Sequence, residues 1–163
     1  MPVPVPVPVP VPGFAEQLFH AAVDTGVMNE FVHERLDVYQ AAIEFLVLAD
    51  AIASSLPRGR AYLADQLRRA STSISFNIAE GAGEYAPADK ARFYRMARRS
   101  ATESAAILDA CRLLSLIDAD RSQPGRGLLL RVVAMLTAMV VKLSGAGSDA
   151  GAGSGSALAT NLR

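Results

Sequence analysis

The chain has 163 residues, 51% hydrophobic, 20% charged and 6% aromatic, and its sixteen Lys and Arg are balanced by sixteen Asp and Glu. That length corresponds to one domain with a modest core, and a neutral sum excludes a globally basic nucleic-acid binder and an acidic solvating tail. A single cysteine, Cys111, excludes an intramolecular disulfide framework and a multi-Cys zinc site, and two histidines, His20 and His33, leave little for metal or acid–base chemistry.

Residues 1–13 are a Pro-Val repeat closed by Gly13. Alternate prolines fix φ, remove every second amide donor and hold the intervening valines extended, so the segment reads as a polyproline II arm. Its role is either a passive spacer or a ligand for a proline-binding module. Residues 14–33 form a weakly amphipathic extension, with Phe14, Leu18, Phe19, Ala22 and Val23 at the spacing of a short helix. With no Lys or Arg before Arg35, a secretory signal with a basic n-region is not expected. No apolar run approaches the roughly 18 residues of a membrane span. The expected setting is the reducing cytoplasm.

Residues 34–144 carry four long helical runs and no alternating strand pattern. Breaks are expected at Pro57 to Gly59, at Gly81 to Gly83 with Pro87, and at Ser122 to Gly125. Short connections between helices of similar length predict an all-α, antiparallel up-down-up-down four-helix bundle. Residues 145–163 are a Gly/Ser/Ala-rich tail ending in Leu162 and Arg163. It reads as a flexible tether, either frayed or carrying a short docking peptide for a partner.

On the second helix Leu63, Leu67, Ala70, Ile74 and Ile78 form one core stripe, with Phe76 on the opposite side. On the first helix two apolar faces compete. Tyr39, Ala42, Ile43, Leu46 and Val47 are assigned to the core, which leaves Val38, Phe45, Leu48 and Ile52 as a second face. The fourth helix is apolar nearly all round from Leu128 to Leu143, interrupted mainly by Arg131, Thr137 and Lys142. Helices with two apolar faces must bury both, which four helices cannot do within one small bundle. A homo-oligomer is expected, with Phe45, Leu48, Ile52 and Phe76 as interface candidates.

Polar residues inside the second helix look deliberate. Ser71, Thr72, Ser73, Ser75 and Asn77 compete with the backbone for hydrogen bonds, while small side chains allow close helix approach and Gly81 can end the helix in the left-handed conformation. Glu80 stands in the last turn, where the helix dipole disfavours an anion, so a cationic or hydrogen-bonding partner is expected from the third-helix arginines. A structural network of Arg68, Arg69, Asn77, Glu80, Ser100 and Glu103 is preferred over a catalytic carboxylate. No nucleophile–base pair, metal set or phosphate loop can be assembled, so neither enzyme activity nor a cofactor is expected.

Charge is unevenly spread. Residues 58–112 hold ten Lys and Arg and six Asp and Glu, net +4, whereas residues 1–57 hold one and seven, net −6. The third helix presents Arg92, Arg95, Arg98 and Arg99. This cluster suits either a phosphate backbone, without reading sequence, or acidic groups of the same or another subunit. Arg99 and Glu103 are spaced to pair along the helix.

Several of these stretches resemble the bacterial four helix bundle proteins, also called 23S rRNA intervening-sequence proteins. They are Leu36 to Gln40 (LDVYQ), Gln66 to Ser71 (QLRRAS), Ser73-Ile74 leading to Asn77 to Gly81 (NIAEG), and Phe93, Arg95 to Ala97, Ser100 and Glu103. The resemblance implies an antiparallel four-helix bundle assembling as a homopentamer, with no catalytic activity. It gives Arg68, Arg69, Asn77, Glu80, Gly81, Ser100 and Glu103 an architectural role. Relatives that serve diversity-generating retroelements are basic pentamers that bind nucleic acid and a reverse transcriptase; this chain departs from them in being neutral. Ala86 to Asp89 also departs from the usual opening of the third helix, and neither the arm nor the tail is explained by the family. Two functions follow as expectations. One is a non-enzymatic oligomeric scaffold engaging RNA or an RNA-handling partner through the third-helix arginines. The other is a structural adaptor or cargo protein docking through its arm or tail, without nucleic acid.

Overall fold

The computed structural model describes residues 30–149, with side chains through Gly145. The Pro-Val arm and nearly all of the 14–33 extension and the tail lie outside these residues. After a 3-10 turn at Val32–Arg35, four helices follow: α1 (Asp37–Ser55), α2 (Ala61–Gly83), α3 (Pro87–Leu113) and α4 (Ala119–Asp149), with a 3-10 turn at Arg58–Arg60. Among the described residues there is no strand.

Each helix packs on two neighbours in the cyclic order α1, α2, α3, α4, and the diagonal pairs do not bring their backbones together. Cross-helix contacts show the directions. On α2 and α3, Gln66 meets Glu103, Ser73 meets Ser100 and Gly81 meets Tyr94. On α3 and α4, Arg98 reaches Thr137 and Asp109 receives Arg126. Rising numbers on one helix meet falling numbers on the next, so the four-helix bundle is antiparallel, as the short connections require.

Local chemistry sets the helix ends. Pro87 opens α3 at its first turn, where no amide donor is missed, and Asp89 adds a favourable charge there. The backbone N–H of Arg121 donates to Asp118 Oδ1 at 2.8 Å, capping α4. Between these helices Leu116 N–H donates to Cys111 O and Ser115 N–H to Arg112 O, both at 2.9 Å, a Schellman closure with Ser115 left-handed at φ 54°. The break expected at Ser122 to Gly125 is therefore misplaced. The turn comes earlier, and Pro124 and Gly125 lie inside α4. Pro124 stands in the second turn of α4 and removes one i→i−4 donor there. Gly125 packs closely against neighbouring helices: a Cβ there would meet Leu108 Cδ1 and Leu48 Cδ2, each at 3.2 Å, and both side chains would have to shift. At its other end α4 runs to Asp149, past the expected onset of the tail at Gly145.

The core joins Val38, Phe45, Ala49 and Ile52 of α1 to Leu67, Ile74 and Ile78 of α2, Ala97, Leu108 and Cys111 of α3, and Leu129, Val132 and Leu136 of α4. The α2 stripe is placed as expected, with Leu63 only half-buried. On α1 the two faces are exchanged, except at Ala42, which is buried as expected. Phe45 and Ile52, expected at an oligomer interface, are fully enclosed, and Leu48 packs against the core. Val47, expected inside, is 68% exposed, and Tyr39, Ile43 and Leu46 are half-buried. The physical reason is the small-residue content of the inward face. Ala41, Ala42, Ala49 and Ala53 interleave with Val38, Phe45 and Ile52 and let α1 approach its neighbours closely.

By length and composition, α1 and the Ala119–Gly145 part of α4 are apolar enough to cross a membrane. The expectation that no segment qualifies is too strict. Isolated Arg, Thr and Gly residues interrupt a run without lowering its mean hydropathy much. α1 nonetheless turns its Phe45 face into the bundle.

Candidate functional site

Along the seam between α2 and α3 the polar residues of α2 find partners. Gln66 Nε2 donates to Glu103 Oε1 at 2.9 Å, and the hydroxyls of Ser73 and Ser100 share a hydrogen bond of 2.9 Å. Asn77 Nδ2 donates to Ser73 O at 2.7 Å and to Ser73 Oγ at 3.1 Å. Buried Ser71 and Ser75 satisfy themselves on carbonyls one turn back, Arg68 O and Thr72 O. Asn77 and Ser100 are thus joined through Ser73, and Glu103 bonds separately to Gln66, two clusters along one seam.

The other three members of the expected network join neither cluster. Arg68 turns to α1, where its Nε donates to Asp50 Oδ1 at 2.7 Å and its Nη2 to Ser54 Oγ at 2.9 Å. Both charges are largely exposed, so this pair stabilises by about 0–1 kcal/mol. Arg69 and Glu80 have no hydrogen-bond or ion-pair partner among the described residues, and the cation expected for Glu80 is not supplied from α3. Glu80 lies in the last turn of α2, four residues past the exposed Phe76, and faces the open side of the seam rather than the arginines. Gly81 is not a left-handed stop either. It lies within α2, where a Cβ would come within 2.7 Å of Tyr94 Cε1, so its lack of a side chain serves close packing.

Above this seam the surface opens into a groove of about 730 Å³ whose lining includes Arg69, Ser73, Phe76, Asn77, Glu80 and Met96. Phe76, on the side of α2 opposite its core stripe, is 63% exposed, and Met96 of α3 is 40% exposed. The groove combines two apolar side chains with one unpaired cation and one unpaired anion.

The four arginines of α3 divide. Arg92, Arg95 and Arg99 point outward, and the Arg92 guanidinium stacks 4.5 Å from the Phe93 ring centroid, worth about 0.5–1 kcal/mol at an exposed site. Arg95 and Arg99 have no partner among the described residues; Glu103 is taken by Gln66, so the expected Arg99–Glu103 pair does not form. Arg98 is drawn to the opposite seam, where its Nη1 approaches Thr137 Oγ1 at 3.5 Å. It does not belong to the outward cluster. Among the described residues no three His, Cys, Asp or Glu side chains gather as a metal-ligand set.

Burial raises two titrating groups, the Tyr94 phenol and the Cys111 thiol, above their ordinary values. Cys111 is fully enclosed, as expected of a core residue. One surface is only half legible in the sequence, the outer side of α4. There Leu130 and Val141 are 65% and 67% exposed, with Ala134 and Ala138 exposed between them. The signal is a helix apolar all round, which does not say which side stays open.

Taken together, these features define an all-α bundle whose distinctive polar and charged residues lie along the α2–α3 seam and on the outward surface of α3. The chain belongs to the 23S rRNA-intervening sequence protein family, whose family model matches residues 34–138. The matched span holds the LDVYQ, QLRRAS and NIAEG stretches and the α3 arginines. No curated protein sequence matches the chain.

Proposed function

We propose that this protein is a non-enzymatic, cofactor-free, homo-oligomeric scaffold of the cytoplasm that engages RNA through the outward arginines of α3. The observation that carries the RNA reading is the set Arg92, Arg95 and Arg99, three solvent-facing guanidinium groups on one helix face, none with an anionic partner among the described residues. Unpaired guanidinium groups on a rigid helix contact phosphates at little ordering cost and read no base sequence. Family membership supports the setting. The oligomer is supported by Phe76, Leu130 and Val141, which leave large apolar area exposed on a single bundle. Repeating three arginines around a homopentamer, the assembly expected from the family resemblance, would make a neutral chain locally cationic.

Fluorescence anisotropy of a labelled structured RNA across a salt series tests the reading. Binding is expected to weaken steeply with salt. The Arg92→Ala/Arg95→Ala/Arg99→Ala variant is expected to bind less tightly and to flatten the log–log slope by about 0.7–0.9 for each phosphate it no longer neutralises. No binding at low salt, or unchanged binding by the variant, removes this surface from an RNA role.

A further inference from the structure

At 99% exposure Tyr85 stands further into solvent than any other large hydrophobic side chain among the described residues, and neither the core nor the arginine surface uses it. We propose that the RNA held along α3 is single-stranded: Arg92, Arg95 and Arg99 take its phosphates while one unpaired base stacks on the Tyr85 ring. The inference rests on the RNA reading above and names the strandedness of the ligand.

Position is the first argument. Tyr85 stands in the three-residue turn between α2 and α3, two residues before Pro87 opens α3. Glu84 and Ala86 on either side are extended, at ψ 144° and 127°, and cap the two helices. The ring is therefore carried on a short link anchored at both ends, and it has no hydrogen-bond partner among the described residues. A ring this exposed adds nothing to the packing of the bundle, whereas every nucleobase offers it a flat π-face to stack on. The arginines follow on the same helix. From Arg92 to Arg99 they extend over about 10 Å at about 1.5 Å per residue, a length served by a few phosphates of one strand. The Arg92 guanidinium is already placed by the Phe93 ring, 4.5 Å from its centroid.

Charge decides between one strand and two. Glu80 in the last turn of α2, Glu84 at its end and Asp89 in the first turn of α3 put three carboxylates at the end of the bundle that carries Tyr85, with Lys90 next to Asp89. Carboxylates repel phosphates, so a nucleic-acid backbone is kept away from the turn. A base is not, and its amino groups find acceptors there. The cationic stretch begins only at Arg92, more than one turn into α3; beyond it Glu103 is bonded to Gln66, and Arg98 is turned away to Thr137. A duplex keeps its bases inside and its phosphates on both edges. Laid over Tyr85 it would set a backbone against the carboxylates and leave the ring unstacked. A single strand meets both conditions, with phosphates on the arginines and a base turned onto the ring; a structured RNA would be held at its loops.

The test is fluorescence anisotropy of the full chain with a short labelled RNA of non-pairing sequence, and with the same strand annealed to its complement. The single strand is expected to bind more tightly than the duplex. Tyr85→Ala is expected to weaken single-strand binding about 5- to 150-fold, the range for losing one base–aromatic stack, while Tyr85→Phe retains it. Stacking releases no counterions, so Tyr85→Ala should leave the slope of log affinity against log salt unchanged. The Arg92→Ala/Arg95→Ala/Arg99→Ala variant flattens that slope. Because Tyr85 lies outside the core, circular dichroism of both Tyr85 variants is expected to match the parent chain. Equal affinity for the duplex, or single-strand binding unchanged by Tyr85→Ala, overturns the inference while the RNA reading stands. No binding of either RNA at low salt removes both.

Discussion

Gly81 on α2 lies so close to Tyr94 on α3 that a Cβ at position 81 would approach the ring at 2.7 Å and Phe93 Cβ at 3.1 Å. Neither neighbour can yield cheaply, because Tyr94 is buried and Phe93 Cβ is fixed to its backbone. Gly81→Ala is therefore expected to lower stability by about 1–3 kcal/mol, the cost of overpacking. Gly127→Ala, on α4 with open space around it, is the contrasting case. It is expected to raise stability by up to about 1 kcal/mol through helix propensity. Urea midpoints of the two variants check the pair.

Phe45 and Phe76 make a second contrast, 0% against 63% exposed. Phe45→Ala is expected to cost about 3–5 kcal/mol, as for other large-to-small core changes. Phe76→Ala removes little packing within one chain and is expected to leave the bundle's own stability within about 0.5 kcal/mol. Its effect should appear instead in the mass measured by light scattering.

Ser115 adopts a left-handed backbone at the end of α3, where glycine is the unstrained choice. Its side chain makes no hydrogen bond to the described residues that would offset that conformation. Ser115→Gly is expected to raise the unfolding free energy by on the order of 1 kcal/mol, read as a higher thermal midpoint.

Alkaline pH should weaken the fold. Burial holds the Cys111 thiol above its ordinary 9.0 and the Tyr94 phenol above its ordinary 10.0. Each group binds its proton more tightly folded than unfolded, so its contribution is fully present below the unfolded pKa and is lost as pH rises through the folded value. The urea midpoint is expected to fall above about pH 9, and Tyr94→Phe should flatten the part of the decline above about pH 10.

Much of this architecture is legible in the sequence, for reasons that differ by helix. On α2 the apolar residues fall on one stripe against a polar remainder, which places Leu67, Ile74 and Ile78 inside and Phe76 outside. On α1 periodicity offers two stripes of similar strength. The deciding quantity is how closely neighbouring helices can approach across Ala42 and Ala49, which depends on partners that no single helix reveals. The start of α4 misleads because Pro124 and Gly125 carry the composition of a turn. Tertiary packing of Gly125 beneath Leu48 and Leu108, with Asp118 capping upstream, extends the helix across them. For the candidate site, residue types and spacing identify the seam at Asn77, Ser100 and Glu103. They do not reveal that Arg68 pairs with Asp50 on α1, because that choice is set by rotation of α2.

The cyclic, antiparallel order of the helices also gives the molecule two unlike poles. The start of α1, the turn at 84–86 and the last turns of α4 share one pole, while the turns at 56–60 and 114–118 share the other. The first residues of α1 and the last of α4 thus lie at the same pole. The 27 residues of α3 place the opposite pole about 40 Å away, at about 1.5 Å per residue. A fluorophore or inserted tag at Gly59, which has open space around it, would report from the pole opposite the start of α1 and the end of α4.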